Sequence, residues 1–473
     1  MKKQKIRFYA ALLCSSMVFS LVSTPVSAAE TGQLTNPPTS TEGPGSPESA
    51  SGNEAAAILN GLSVSALTAN RVAEVTTAEH LTDMLADSSV VKITLAENIY
   101  IGSTLTVNRA VTLDLNGNVL KMNGSGSVIK VESGGNLTIQ DSNTSTPHKF
   151  TPGGDGLWGL DETGGSEIVY GGIITGGNTP NGGGVYVATG CQLTMTGGNI
   201  VGCLATYEGG GVYIDGLRGS SDQTVFTMTG GSITGCQANG TDGGGGVNVT
   251  KGTFTMKGGS IIACTVIEPV YNTTVCGGGV HIRNGGSFTM SSGTIRDCRC
   301  IGNGGGVYVG TGQFTMEGGN ITGCQALSGS FGRGGGVYNL GTFTMIGGII
   351  EDDCTASGSG GVYNAKVLFA NGGEIAGNVM NGDRYPSGTI TGSGGTRFSG
   401  KVINNKNEDG NKSIIECGTF TGEVSNEGEI LGGDFSQANL SGTLVITFDP
   451  DNGDQSSTCL LYTSDAADDM QCV

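Results

Sequence analysis

Three sets of side chains in this sequence recur at spacings that could support chemistry. In the first, Asp297 and Asp353 each stand directly before a cysteine, and Arg296 lies beside the first of them. Carboxylates on one face with a cation nearby are what glycan cleavage needs, and glycosidase pairs sit about 5 to 9.5 Å apart. If Gly323 fills a turn of chain between them, their separation is two strand spacings, about 9.6 Å. The same residues also read as solvated loop charges. In the second set, Tyr186, Tyr213, His281, Tyr308, Tyr338 and Tyr363 hold matching positions in repeated motifs, with Asn248 interrupting the series. A column of outward rings could stack on sugar rings or meet a protein partner, the hydroxyls giving orientation. Alternatively, ring-on-ring stacking between strands only stabilises the sheet. The third set is Cys203, Cys236, Cys264, Cys298, Cys324 and Cys354. At one phase on adjacent strands these are expected to point inward as small buried hydrophobes and to stay reduced. Oxidation stays open, because neighbouring strands lie within disulfide range. Cys298 and Cys300 are expected to face opposite sides of their strand, and Cys191, Cys276 and Cys417 lie outside the series. Metal binding is not expected, since there is no Cys-x-x-Cys pair and the three histidines are scattered. No cofactor is expected either. Gly153-Gly154-Asp155-Gly156 has the texture of a calcium loop but occurs once, and the Gly-Gly-Gly runs do not open helices as a phosphate cradle requires.

These sets exist because the chain repeats itself. Gly-Gly-Gly-Val-Tyr-Val (182–187) returns with its valine at Val212, Val247, Val280, Val307, Val337 and Val362. Phe-Thr-Met returns at Phe226, Phe254, Phe288, Phe314 and Phe343, and Gly-Gly-Ser-Ile-Thr-Gly-Cys (230–236) is echoed at Gly318–Cys324. Each run is short, alternates with period two and is bounded by glycine, which is a strand signature. Three strands in a repeat of 25–35 residues predict one turn of a triangular coil. Stacked turns then form three parallel sheets, and length variation falls in corner loops. A propeller would need a fourth strand, and none is evident. Valine, phenylalanine and methionine are expected to point inward. Tyr186 and its counterparts, and the threonines Thr194, Thr227, Thr255, Thr289, Thr315 and Thr344, are expected to point outward.

The pattern resembles the right-handed parallel β-helix repeats of bacterial surface proteins and autotransported adhesins, of the kind carried by Gram-positive gut anaerobes, over about residues 90–445. The resemblance implies an all-β fold, a right-handed parallel β-helix with three sheets. It implies an adhesin or display stalk, with a host or environmental glycan or a host surface protein as partner and a monomeric rod as its form. That fold also carries polysaccharide lyases and glycoside hydrolases, and passive spacers, so activity does not follow from it.

The remainder of the chain frames the coil. Lys2, Lys3, Lys5 and Arg7, an apolar run from Phe8 to Val22 and Val26-Ser27-Ala28 form an expected signal peptide over 1–29, and hence an expected secreted, extracellular or wall-associated location. Residues 30–75 read as linker, the stretch from Ala55 being a short helix or a leader strand. Thr76-Thr77-Ala78-Glu79 has capping-box spacing, and Leu81, Met84 and Leu85 share a face. A helix over 77–87 is therefore expected to cover the open end of a β-helix spanning 76–445, whose regular repeats run from 182 to 378. Residues 142–166 form a Gly/Pro-rich excursion holding the only tryptophan, Trp158. Residues 446–457 resemble the opening of a small C-terminal repeat of Gram-positive surface proteins, and 458–473 resemble a translated sequencing adaptor. With 87 glycines of 473 but no strict Gly-X-Y period, collagen is excluded. The net charge of −18 disfavours nucleic acid and anionic membrane as partners. No apolar run after the signal peptide is long enough to span a bilayer.

Overall fold

Valine-rich tripeptides between glycines can bury one face only by pairing with copies of themselves, and the chain does this throughout. In the computed structural model, residues 70–216, 223–240, 242–267, 276–327, 332–383 and 387–446 are described, together with the backbone of 459–462 and 471–472. All belong to one unit, Val64–Val473. The signal peptide, most of the linker and most of 447–473 lie outside the described residues.

The architecture is a parallel β-helix with three long sheets. Val185, Val212, Val247, Val280, Val307, Val337 and Val362 are directly in register on successive strands of one sheet. The same column continues past the regular repeats through Val379, Val402 and Val424. The phenylalanines from Phe226 to Phe343 align likewise. The sheets are divided differently from the expected triangle. Thr253–Ile262 and Ser287–Arg296 run through both the Phe-Thr-Met and the Gly-x-Ile motifs, so those two belong to one sheet. Glycines between the motifs, such as Gly231 at φ +76° and Gly259 at φ +78°, bend the chain there, and the pairing within the same sheet resumes at Ser232 and Ser260. The third sheet is built from segments following the cysteine, including Gln237–Ala238, Thr265–Val266 and Arg299–Cys300. A left-handed residue turns the chain into it: Gly202, Gly235, Ala263, Asp297 and Gly323 all have φ between +50° and +61°. A coil thus carries four short strand segments. The last pairs only two residues in most coils, too few to show a period.

Inside, like side chains pile up. Rings of Phe226, Phe254, Phe288, Phe314 and Phe343 stack with centroids 4.7–4.9 Å apart, which is the strand spacing. The threonines opposite them are half-buried on the outer face, as expected. The six ladder cysteines are free thiols in the core, and Cys236, Cys264, Cys298, Cys324 and Cys354 each donate to an isoleucine carbonyl one coil earlier. Burial pushes the thiols of Cys264, Cys298 and Cys324 well up; for Cys203 and Cys354 the bond to the neighbouring thiol leads and burial adds to it. At Cys236 burial also acts upward, but its bonds with the Cys203 and Cys264 thiols outweigh it and hold that thiol low. Cys300 does face away from Cys298, and joins Cys276 in a disulfide beside Ala205, Ala238 and Val266. That bond lies outside the ladder.

A second interior column replaces valine in the later coils. Asn339, Asn364, Asn381, Asn404 and Asn426 are buried and in register. Each of the first four donates from Nδ2 to the next residue's Oδ1 at 2.7–2.8 Å. The same amides bond the carbonyls of Val367, Thr389, Ile414 and Glu429, so this column holds the corner as well as the core.

The covering helix spans Ala78–Ala86 and buries Leu81 and Leu85. Its N-cap is Thr77, whose Oγ1 accepts from the His80 amide, so the Thr76–Glu79 capping box is not what starts it. Arg109 donates to the Leu85 and Met84 carbonyls at the helix's other end. The solenoid begins earlier than expected: Arg71–Val75 is a strand paired in parallel with Val90–Leu95. The excursion is also structured. Pro147–Pro152, Trp158–Leu160 and Glu167–Tyr170 form a small antiparallel sheet. Its residues Phe150, Trp158, Leu160 and Val169 pack on Val119, Ile173 and Val201. Among the described residues no helix is long and apolar enough to cross a membrane.

Candidate functional site

The outer face of the valine sheet carries the expected aromatic column. Tyr186, Tyr213, Asn248, His281, Tyr308, Tyr338 and Tyr363 are consecutive in register. Tyr308, Tyr338 and Tyr363 stack at 5.0 and 4.7 Å, His281 meets Tyr308 edge-on at 4.9 Å, and Tyr186 and Tyr213 are tilted at 5.3 Å. The column is not the open stripe that alternation predicted. Tyr213, His281, Tyr308, Tyr338 and Tyr363 are buried, and only Tyr186 is half-buried. The cover comes from the chain itself. Leu340, Ala365 and Met380 pack against the rings, and the Arg333 guanidinium sits 5.3 Å over Tyr363 while paired with Asp383. At the corners the glycine runs lie close against the ring stems, so that a Cβ on Gly304 would be 2.9 Å from that of Tyr308. Burial pushes Tyr213 and Tyr338 up to about 12, and Tyr186 and Tyr308 further, so every hydroxyl is neutral.

Around His281 the column opens into a charged cluster that the motifs alone did not reveal. Arg283 follows His281 by two residues, and across the sheet Asp215, Thr250 and Arg283 are in register. Arg283 Nη1 pairs with Glu208 Oε1 at 2.9 Å and with the Asp242 carboxylate, and its Nε donates to Thr250 Oγ1 at 3.1 Å. The Asp242 carbonyl accepts from Asn248 Nδ2 and from His281 Nδ1, at 2.6 and 2.7 Å. Tyr186 donates to Asp215 Oδ2 at 2.6 Å. A hollow of about 390 Å³ lies here, walled by Asp242, His281, Arg283, Tyr308, Thr311 and Leu340. A smaller one of about 170 Å³, lined by Asn181, Tyr207, Glu208 and Gly240, shares Asp242 with it. The available signal for this cluster was opposite charge at one phase, Asp215 and Arg283, two coils apart.

Two buried groups here titrate abnormally. Burial pushes Glu208 up to about 7 against the pull of Arg283, and burial drives His281 down to about 4. For Glu208 the cost is absent below its unfolded value of 4.5 and complete above 7, so stability falls as pH rises through that window. For His281 the cost is absent above 6.5 and complete below 4, so its effect has the opposite slope. Between pH 4.5 and 6.5 the two offset each other. Glu208→Gln is therefore expected to raise stability at pH 8, by an amount on the order of 2 kcal/mol after allowing for solvent near the ion pair, and to leave it unchanged at pH 4.5. Thermal melts at the two pH values check this; equal shifts at both would remove the argument.

Asp297 and Asp353 occupy a different corner. Asp297 pairs with Arg296 at 2.7 Å and adopts the left-handed turn at φ +58°. Asp353 accepts from Thr322 Oγ1 and from the Gly323 amide, both at 2.7 Å. A Cβ on Gly323 would be 2.6 Å from Asp297 Oδ1, so the two carboxylates flank that glycine as the spacing implied. Both are exposed, and their bonds hold the corner. Among the described residues no group of three or more His, Cys, Asp or Glu is placed to hold a metal ion. No protein-family description, curated protein or solved structure matches the chain.

Proposed function

We propose that this is a secreted or cell-surface β-helix protein that acts as an adhesin or display stalk and binds a glycan through the outer face of its valine sheet. The carrying observation is the larger hollow, in which Leu340 and only the edge of the buried Tyr308 ring offer apolar wall while Asp242, Arg283, Asn284 and Thr311 offer polar groups. An apolar platform ringed by a few converging polar groups is how saccharide faces are held. Bacterial surface placement rests on the resemblance of the repeats and on the composition of residues 1–29. The carboxylates at Asp297 and Asp353 are engaged in bonds within their own corner, which favours binding over cleavage there.

A glycan array followed by titration calorimetry tests this. Asn284 has φ +53°, so Asn284→Gly removes its side chain without backbone strain. Together with Thr311→Ala it is expected to weaken glycan binding about tenfold, about 1.4 kcal/mol. Failure of every glycan to bind would leave the rod a passive spacer; binding indifferent to both substitutions would place the site elsewhere.

A further inference from the structure

The cation at the centre of this hollow is already satisfied. Arg283 Nη1 is shared by Glu208 and Asp242, its Nε is bonded to Thr250, and its side chain is only 23 % exposed. Asp242 stands at the rim, with its side chain 46 % exposed, and is the charged group most open to an incoming ligand. Asp215 lies on the same face, bonded to Tyr186. Once Glu208 is ionised, above about pH 7, two carboxylates on one guanidinium leave the hollow with a negative balance, on a chain whose net charge is already −18.

We infer that the hollow selects uncharged saccharides and rejects acidic ones, and that Glu208 and Asp242 set this choice by occupying Arg283. The inference rests on the saccharide reading above and adds its ligand class. A uronate or sulfate entering beside Tyr308 would face Asp242 directly and would have to displace a carboxylate from Arg283 to gain a counter-charge. Like charges brought together at an interface act against the wrong partner, which is how specificity is commonly set. A neutral sugar meets no such barrier: its hydroxyls can donate to the exposed rim of Asp242 and accept from Asn284 and Thr311, with its apolar face against the half-buried Leu340.

The test titrates the full chain with neutral hexaoses (glucan, mannan and N-acetylglucosamine oligomers) and with hexagalacturonate. At least one neutral oligomer is expected to bind, with hexagalacturonate at least tenfold weaker. Asp242→Asn, and Asp242→Asn with Glu208→Gln, release Arg283 and are expected to close that gap or reverse it. Circular dichroism and a cooperative thermal melt like those of the unaltered chain report that the variants are folded. Equal or tighter hexagalacturonate binding by the unaltered chain overturns the selectivity and leaves the saccharide reading standing. So does a gap that the variants do not change. If no saccharide binds, the reading beneath it fails as well.

Discussion

Asn381→Leu is expected to destabilise the later coils by about 3–5 kcal/mol, more than any surface change on this chain. Asn381 is fully buried, accepts from Asn364 and donates to Asn404, Gly388 and Ile414. Leucine nearly preserves the volume, so packing contributes little. The cost is in what remains: the Asn404 Oδ1 and the Gly388 and Ile414 carbonyls lose a donor at a largely buried corner. Each orphaned buried group costs about 1–3 kcal/mol, only part of which local adjustment recovers. Removing both partners is expected to cost less than the sum of the singles, because the double variant orphans only Asn364 and Asn426, whereas the singles together also leave Asn381 and Asn404 half-bonded. Urea unfolding of Asn381→Leu, Asn404→Leu and the double variant measures this. Additive losses, or a single loss below about 1 kcal/mol, would mean that the column carries no coupled hydrogen bonding.

The earlier coils show why such a ladder is optional. At the same inward position Val187, Ile214, Val249, Ile282 and Val309 are apolar and buried. Their repeats are longer, with a Gly-Gly-Gly corner whose amides and carbonyls pair between coils, as from Gly246 to Gly279 and from Gly279 to Gly306. From Val362 onward the coils lack that run, whereas Asn339 still follows Gly334–Gly336, and the asparagine side chains add bonds to carbonyls of the next coil.

Nothing in the alternation singles out the asparagines at this position, and their neighbours explain how far sequence reading reached. Columns of Val, Phe, Met, Ile and Cys were legible, because period-two alternation fixes which side each residue faces and a one-residue slip would expose the whole set. The segment after the cysteine was not, since two-residue strands such as Gln237–Ala238 have no period. Tyr308 and Tyr363 were correctly placed on the outer face, but alternation gives a direction and says nothing about cover. Leu340, Met380 and Arg333 reach them from the ends of their own or neighbouring coils. Glu208 and Asp242 were missed for a related reason. They sit in corner segments whose lengths vary between repeats, so their phase relative to Arg283 cannot be counted along the chain.

The phenylalanine column offers the other large effect. Phe288 is fully buried, with Phe254 stacked 4.7 Å to one side and Phe314 4.9 Å to the other. Phe288→Ala removes a ring from a close-packed core, which costs about 3–5 kcal/mol in similar sites. It also ends two ring–ring contacts, each worth about 0.5–1.5 kcal/mol beyond the buried area. Phe288→Leu is expected to cost much less, because the chain already ends this column in leucine: Leu193 pairs with Phe226 at one end and Leu368 with Phe343 at the other. In a solenoid each coil is held mainly by its two neighbours, so the damage should be local. Hydrogen exchange is expected to quicken in Thr253–Ile262, Ser287–Arg296 and Gln313–Met316 and to stay unchanged in Val402–Asn404. Loss of protection spread evenly over all coils would mean that the stack unfolds as one cooperative block, and the coil-by-coil account of its stability would be wrong.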